Sequence, residues 1–131
     1  MTEKLDLSRR HKPATPAWIL QALLALAFTA AAGAKFAGAP MMVMTFQQIG
    51  LGQGFRYVTA TVEIIGVIAL LTPGFAGPGA VWLGTTMGCA ILTHLFILHS
   101  NPVGAVVLFV LSLTLVWLRR DQFAILRARF A

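Results

Sequence analysis

Apolar residues run along this chain in four long stretches, and the breaks between them collect glycine, proline and most of the polar groups. The stretches cover about 17–35, 56–72, 77–98 and 102–118. Each is close to the ~17 to 25 helical residues needed to cross a hydrocarbon core about 30 Å thick. No water is present in that core to satisfy backbone N–H and C=O groups, so each stretch must close its own hydrogen bonds as a helix. The pattern predicts an all-α fold: one integral membrane domain over 1–131, built as a four-helix bundle.

Residues 36–54 break the pattern. Pro40 suits the first turn of a short helix, Met41, Met44 and Ile49 form an apolar stripe, and Gln47 and Gln48 face water. Gly50, Gly52 and Gly54 then loosen the chain. This segment reads as an interfacial helix followed by a flexible loop on the outer face. The turn at 72–79 is short, uncharged and rich in Pro and Gly, a tight hairpin between the second and third spans. Beyond the last span, Phe123, Leu126 and Phe130 recur at helical spacing with arginines between them, which predicts an amphipathic helix lying on anionic headgroups.

Composition agrees with the membrane reading. Hydrophobic residues make up 58% of the chain and charged residues only 11%, with a mean hydropathy of +0.82, and a soluble domain this small could not bury so much apolar surface. The net charge of +6 invites a nucleic-acid reading. The basic residues argue against it: Lys4, Arg9, Arg10 and Lys12 precede the first span, and Arg119, Arg120, Arg127 and Arg129 follow the last. Flanking charge of this kind orients a membrane protein and attracts anionic lipid, placing 1–16 and 119–131 in the cytoplasm. Trp18, Trp82 and Trp117 then fall near cytoplasmic ends as an aromatic belt. The basic start and Ala-rich run to Ala34 also resemble a signal peptide, but cleavage would leave three spans and spoil the charge balance of the two ends, which favours an uncleaved anchor. A single cysteine, Cys89, excludes an internal disulfide or CxxC pair.

Five ionisable side chains lie in or beside the apolar runs and toward one end of them: Lys35, Arg56, Glu63, His94 and His99. Charge at a helix centre in hydrocarbon costs at least ~2.5 kcal/mol even on insertion scales, so such groups face protein or a wet cavity. Glu63 follows Arg56 by seven residues, on the same helix face and about 10 Å deeper. Lys35 or His94, from neighbouring helices, is its expected partner, while Arg56 is free to snorkel outward. Lys35, Arg56, Glu63 and His94 are the candidate ligand-binding residues. Gly84 and Gly88 form a small-residue packing face turned roughly 120° from His94. Met41, Met42, Met44, Met87, Cys89, His94 and His99 include soft copper ligands, but interfacial methionine is more often apolar filler, and no metal site is assigned. No nucleophile–base set, Walker loop or dinucleotide fingerprint occurs, so no catalytic residue is assigned.

The run Gly33-Ala34-Lys35-Phe36-Ala37-Gly38-Ala39-Pro40-Met41-Met42, then Phe46, Ile49-Gly50-Leu51-Gly52, Phe55-Arg56-Tyr57, Glu63 and Thr93-His94-Leu95, resembles the DoxX family, especially its short DoxX-like branch. The likeness extends from about Ala17 to Arg120. It implies a four-helix protein of the bacterial inner membrane with Lys35, Glu63 and His94 on the family's polar positions. Family members include a subunit of a thiosulfate:quinone oxidoreductase and part of a membrane oxidoreductase assembly, and others resemble partners in copper-linked peptide systems. Most have no assigned activity, and this chain has no evident haem, flavin or iron–sulfur site.

The expected function is therefore a non-catalytic binding or helper subunit, holding a quinone-like or other small amphiphile in an outer-leaflet polar pocket for a redox partner. The alternative is a structural or assembly protein whose polar cluster only fixes helix packing. A small transporter or copper handler ranks lower, because four short helices leave a monomer little room for alternating access. Expected partners are membrane lipid and a redox or other membrane protein. A homo-oligomer is compatible with the sequence; nucleic acid is not expected.

Overall fold

The computed structural model describes residues 15–130 and consists of helices joined by short turns. In chain order these are α1 (Thr15–Ala37), α2 (Pro40–Ile49), α3 (Gln53–Leu71), α4 (Ala76–Thr93), α5 (Val103–Leu118) and α6 (Arg120–Phe130). A π-helical turn, His94–Leu98, prolongs α4. With that turn included, α1, α3 and α4 are long and apolar enough to cross a membrane. The molecule is a multi-pass integral membrane protein. At 16 residues α5 is shorter, about 24 Å at 1.5 Å per residue, and α6 leaves it at an angle of 59°.

The four long helices pack around a ring in the order α1, α3, α4, α5, and α5 closes back on α1. Their inward faces follow helical spacing. On α1 the buried residues are Ala17, Gln21, Leu24, Ala25, Phe28 and Ala32; on α3 they are Arg56, Ala60, Glu63, Gly66, Val67 and Leu70. Leu24, Phe28, Leu70, Leu83 and Leu115 fill the interior. Large apolar side chains such as Leu26, Ile68 and Phe96 stay on the outside, where a bilayer makes them favourable.

Small residues set the helix spacing. A Cβ on Gly79 would stand 2.9 Å from the backbone nitrogen of Leu70 and 2.9 Å from the Ala69 Cβ, so its absence lets α4 lie against α3 at backbone distance. The expected glycine face is used inside the fold: Gly84 faces the Ser112 Cβ and Gly88 the Phe109 ring, both on α5. Trp82 ties α4 to α3. It lies six residues into α4, and its indole N–H donates to the Val62 carbonyl, 2.8 Å away and nine residues before the end of α3. α2 is held by Phe46, buried and 5.9 Å from the Phe55 ring, while Met41 and Met44 are exposed. On α6, Phe123 packs against Gly77 at the α3–α4 hairpin, and Phe130 is exposed.

Candidate functional site

The end of α1 is built by a glycine. Gly38 has a φ of +70° and stands one residue past the helix, in a left-handed conformation that costs glycine little. The chain then folds back so that the Gly38 N–H donates to the Lys35 carbonyl at 3.3 Å and the Ala39 N–H to the Ala34 carbonyl at 3.0 Å. This paired pattern satisfies carbonyls that a helix end otherwise leaves open. Pro40 begins α2 immediately afterwards.

Arg56 completes that helix end. Its Nη1 also donates to the Lys35 carbonyl, its Nη2 lies 3.2 Å from the Tyr57 hydroxyl, and its guanidinium carbon sits 4.6 Å from the centre of the Tyr57 ring. Only 6% of Arg56 is exposed. The expectation that it snorkels outward is thus overturned. The Lys35 carbonyl at the end of α1, already accepting from Gly38, takes Arg56 as a second donor, and the missing side chain at Gly38 leaves room, since a Cβ there would lie 3.0 Å from Nη1.

Lys35 turns the opposite way from a snorkelling lysine. Its ammonium reaches into the bundle and lies 2.7 Å from Glu63 Oε1. Glu63 is 1% exposed and occupies the middle of α3, ten residues after Gln53 and eight before Leu71. The candidate groups therefore do not share one depth: Arg56 stands at the helix end, Glu63 at the centre, and the lysine stem bridges the difference. Glu63 Oε2 and Arg56 Nε are both buried without a hydrogen-bond partner among the described residues, as is Gln53 Oε1. Glu63, Arg56 and Gln53 lie on one face of α3. This face presents an open acceptor deep in the bundle and an open donor nearer its end. Such orphans are rare enough in native interiors that each needs an explanation, commonly a water, ion or ligand.

His94 does not meet Glu63. Its Nδ1 lies 2.7 Å from the Ser100 hydroxyl, across the π turn. The Ser100 N–H also donates to the His94 carbonyl, and His99 between them takes a left-handed φ of 48°. The π turn packs against α2, so His94 stands at the same end of the bundle as Lys35 and Arg56 but on its rim. The partner Ser100 was masked in the sequence by its place in a turn six residues downstream. Among the described residues no group of three or more His, Cys, Asp or Glu side chains could hold a metal ion.

A second polar cluster, absent from the sequence reading, lies at the opposite end. Gln21, 2% exposed, donates to the Leu70 carbonyl at 2.8 Å and accepts at 2.8 Å from Arg119 Nε. Arg119 also lies over the Trp18 ring, 5.5 Å from its centre. Gln122 accepts from the Gly77 N–H at 2.8 Å. The available signal was Gln21 itself, a lone amide within an apolar run.

Neither a curated protein nor a solved structure matches the chain. A family model does: residues 19–118, covering nearly all of the bundle and both halves of the Lys35–Glu63 pair, match the model of the DoxX-like family. The chain belongs to the DoxX-like family.

Proposed function

We propose that this protein is a non-catalytic binding or helper subunit of the bacterial inner membrane, which holds a quinone-like or other small amphiphile for a redox partner. In this reading α5 is the fourth span, α2 lies in the outer interface, α6 lies on the inner one, and both termini are cytoplasmic. Lys35, Arg56, Glu63 and His94 form the binding set. Glu63 accepts from the ligand's polar head, Lys35 holds the carboxylate in place, Arg56 donates through Nε, and His94 acts from the rim.

The observation that carries this reading is the second oxygen of Glu63. One oxygen has Lys35 at 2.7 Å, whereas the other is buried with no partner among the described residues. An unsatisfied buried polar group costs about 1 to 3 kcal/mol, and more when charged. A hydroxyl or carbonyl-bearing head that supplies the missing partner would recover that cost. The structural alternative rests on the Lys35–Glu63 pair itself, because removing one partner of a buried ion pair typically costs about 3 to 5 kcal/mol whatever the pair is for.

Native mass spectrometry of the protein in lipid discs, with and without Glu63→Gln, separates the two. The binding role predicts a discrete amphiphile on the wild type that is missing from a folded Glu63→Gln protein. A bare chain in both, with the variant melting at lower temperature, would leave only the clamp.

A further inference from the structure

We infer that the arginine pair at the other end of the bundle, Arg119 and Arg120, is a binding site for the anionic phosphodiester of a phospholipid headgroup. It is independent of the site around Glu63.

The two arginines follow directly on α5, where the last apolar helix stops. Each lies by an indole: Arg119 is 5.5 Å from the centre of Trp18, and Arg120 is 4.5 Å from the centre of Trp117. Trp18 and Trp117 are 46% and 61% exposed. Indoles of this kind favour the headgroup level of a bilayer, so the guanidinium groups stand at the depth of lipid phosphates.

The hydrogen bonds then decide which donors remain. Arg119 spends Nε on Gln21, a buried side chain that is itself fixed by the Leu70 carbonyl. That bond anchors the guanidinium plane through one edge. Its two Nη groups have no acceptor among the described residues, and together they form the parallel fork that binds phosphate oxygens bidentately. Arg120 spends Nη1 on the Trp117 carbonyl and keeps Nη2 and Nε. Asp121 is the nearest acidic residue in sequence, and it forms no ion pair with either arginine among the described residues. The result is two positive groups held by protein contacts, with donors to spare, beside aromatic rings suited to glycerol and acyl carbons. Arg127 and Arg129, farther along α6, form no ring stack or hydrogen bond among the described residues and serve as an internal control.

The test is a native mass-spectrometric titration of the purified full chain in detergent micelles. Dioleoylphosphatidylglycerol is the probe, dioleoylphosphatidylcholine the zwitterionic comparison, and inorganic phosphate the competitor. Arg119→Gln with Arg120→Gln should weaken phosphatidylglycerol binding about tenfold or more, because each removes an oriented guanidinium whose charge-assisted hydrogen bonds to a phosphate oxygen are worth several-fold apiece. Arg127→Gln with Arg129→Gln should weaken it less than twofold. Because Arg119 also holds Gln21, Arg120→Gln alone provides the variant that leaves that contact intact, and it should weaken binding about threefold. Equal losses in the two double variants would reduce the effect to net charge and overturn the proposal, as would undiminished binding in Arg120→Gln. Displacement of the lipid by millimolar phosphate would assign the site to free phosphate and overturn the lipid reading.

Discussion

Lys35 and Glu63 show how far residue-level reading reaches. A carboxylate ten residues into an apolar helix must have a cation within reach, and the choice narrows to a neighbouring helix, which is where Lys35 stands. Arg56 and His94 were less legible because their partners are backbone or turn groups: the Lys35 carbonyl in one case, Ser100 in the other. Spacing along a helix says which face a side chain leaves from but not which loop will meet it. Gly38 concentrates these local demands, combining a positive φ with a guanidinium at its back. Gly38→Ala should therefore cost about 1 to 2 kcal/mol for the left-handed backbone, and more for crowding Arg56. Gly50, with a φ of +83° but nothing near its missing side chain, isolates the backbone part. Thermal unfolding in one detergent should place Gly38→Ala below Gly50→Ala, and equal midpoints would remove Arg56 from the account.

Elements were the most legible level. Helices lie where the apolar runs predict them, with α3 beginning at Gln53 rather than near Arg56 because Gly54 and Phe55 already join its first turn. The short turn rich in Pro and Gly announces the tight hairpin beyond α3, but hydropathy sees only composition, so it could not show which atoms meet across that hairpin, nor that the Trp82 indole reaches across to α3. Both follow from glycines at the contact. Gly79 meets the backbone of α3, which cannot rotate aside, whereas Gly33 on α1 has nothing within 4 Å of its missing side chain. Gly79→Ala should force α4 away from α3 and destabilise by about 1 to 3 kcal/mol, the usual range for overpacking. Gly33→Ala should be neutral or stabilising by up to about 1 kcal/mol, since alanine is the better helix former. Melting midpoints in the same lipid discs test the pair; a loss at Gly33 comparable to that at Gly79 would mean that α1 presents this face to a second chain. The structure gives Gly33 no role of its own.

At the scale of the whole molecule the question is how many times the chain crosses. Three helices qualify by length and hydropathy alone, and α5, with 16 residues, falls short of the usual span. Packing supplies what length does not. Gln21, in the second turn of α1, bonds directly to Arg119 at the far end of α5, so the start of the first helix and the end of the last lie at one end of the bundle. If α1, α3 and α4 each cross, that geometry needs an even number of crossings, and the proposed fourth span is α5, whose end is followed by arginines rather than by more leucine. Long-range contact of this kind, across ninety-eight positions, is invisible to hydropathy. Single cysteines placed in a Cys89→Ala background give the readout. Leu51→Cys and Asn101→Cys should react with a membrane-impermeant maleimide from one side of sealed vesicles. Ala124→Cys, beyond α5, should react only from the other, the cytoplasmic side if the flanking arginines set the orientation. Labelling of Asn101→Cys and Ala124→Cys from the same side would mean that α5 does not cross, leaving three spans and placing Arg119 at a different interface from the one its indoles suggest.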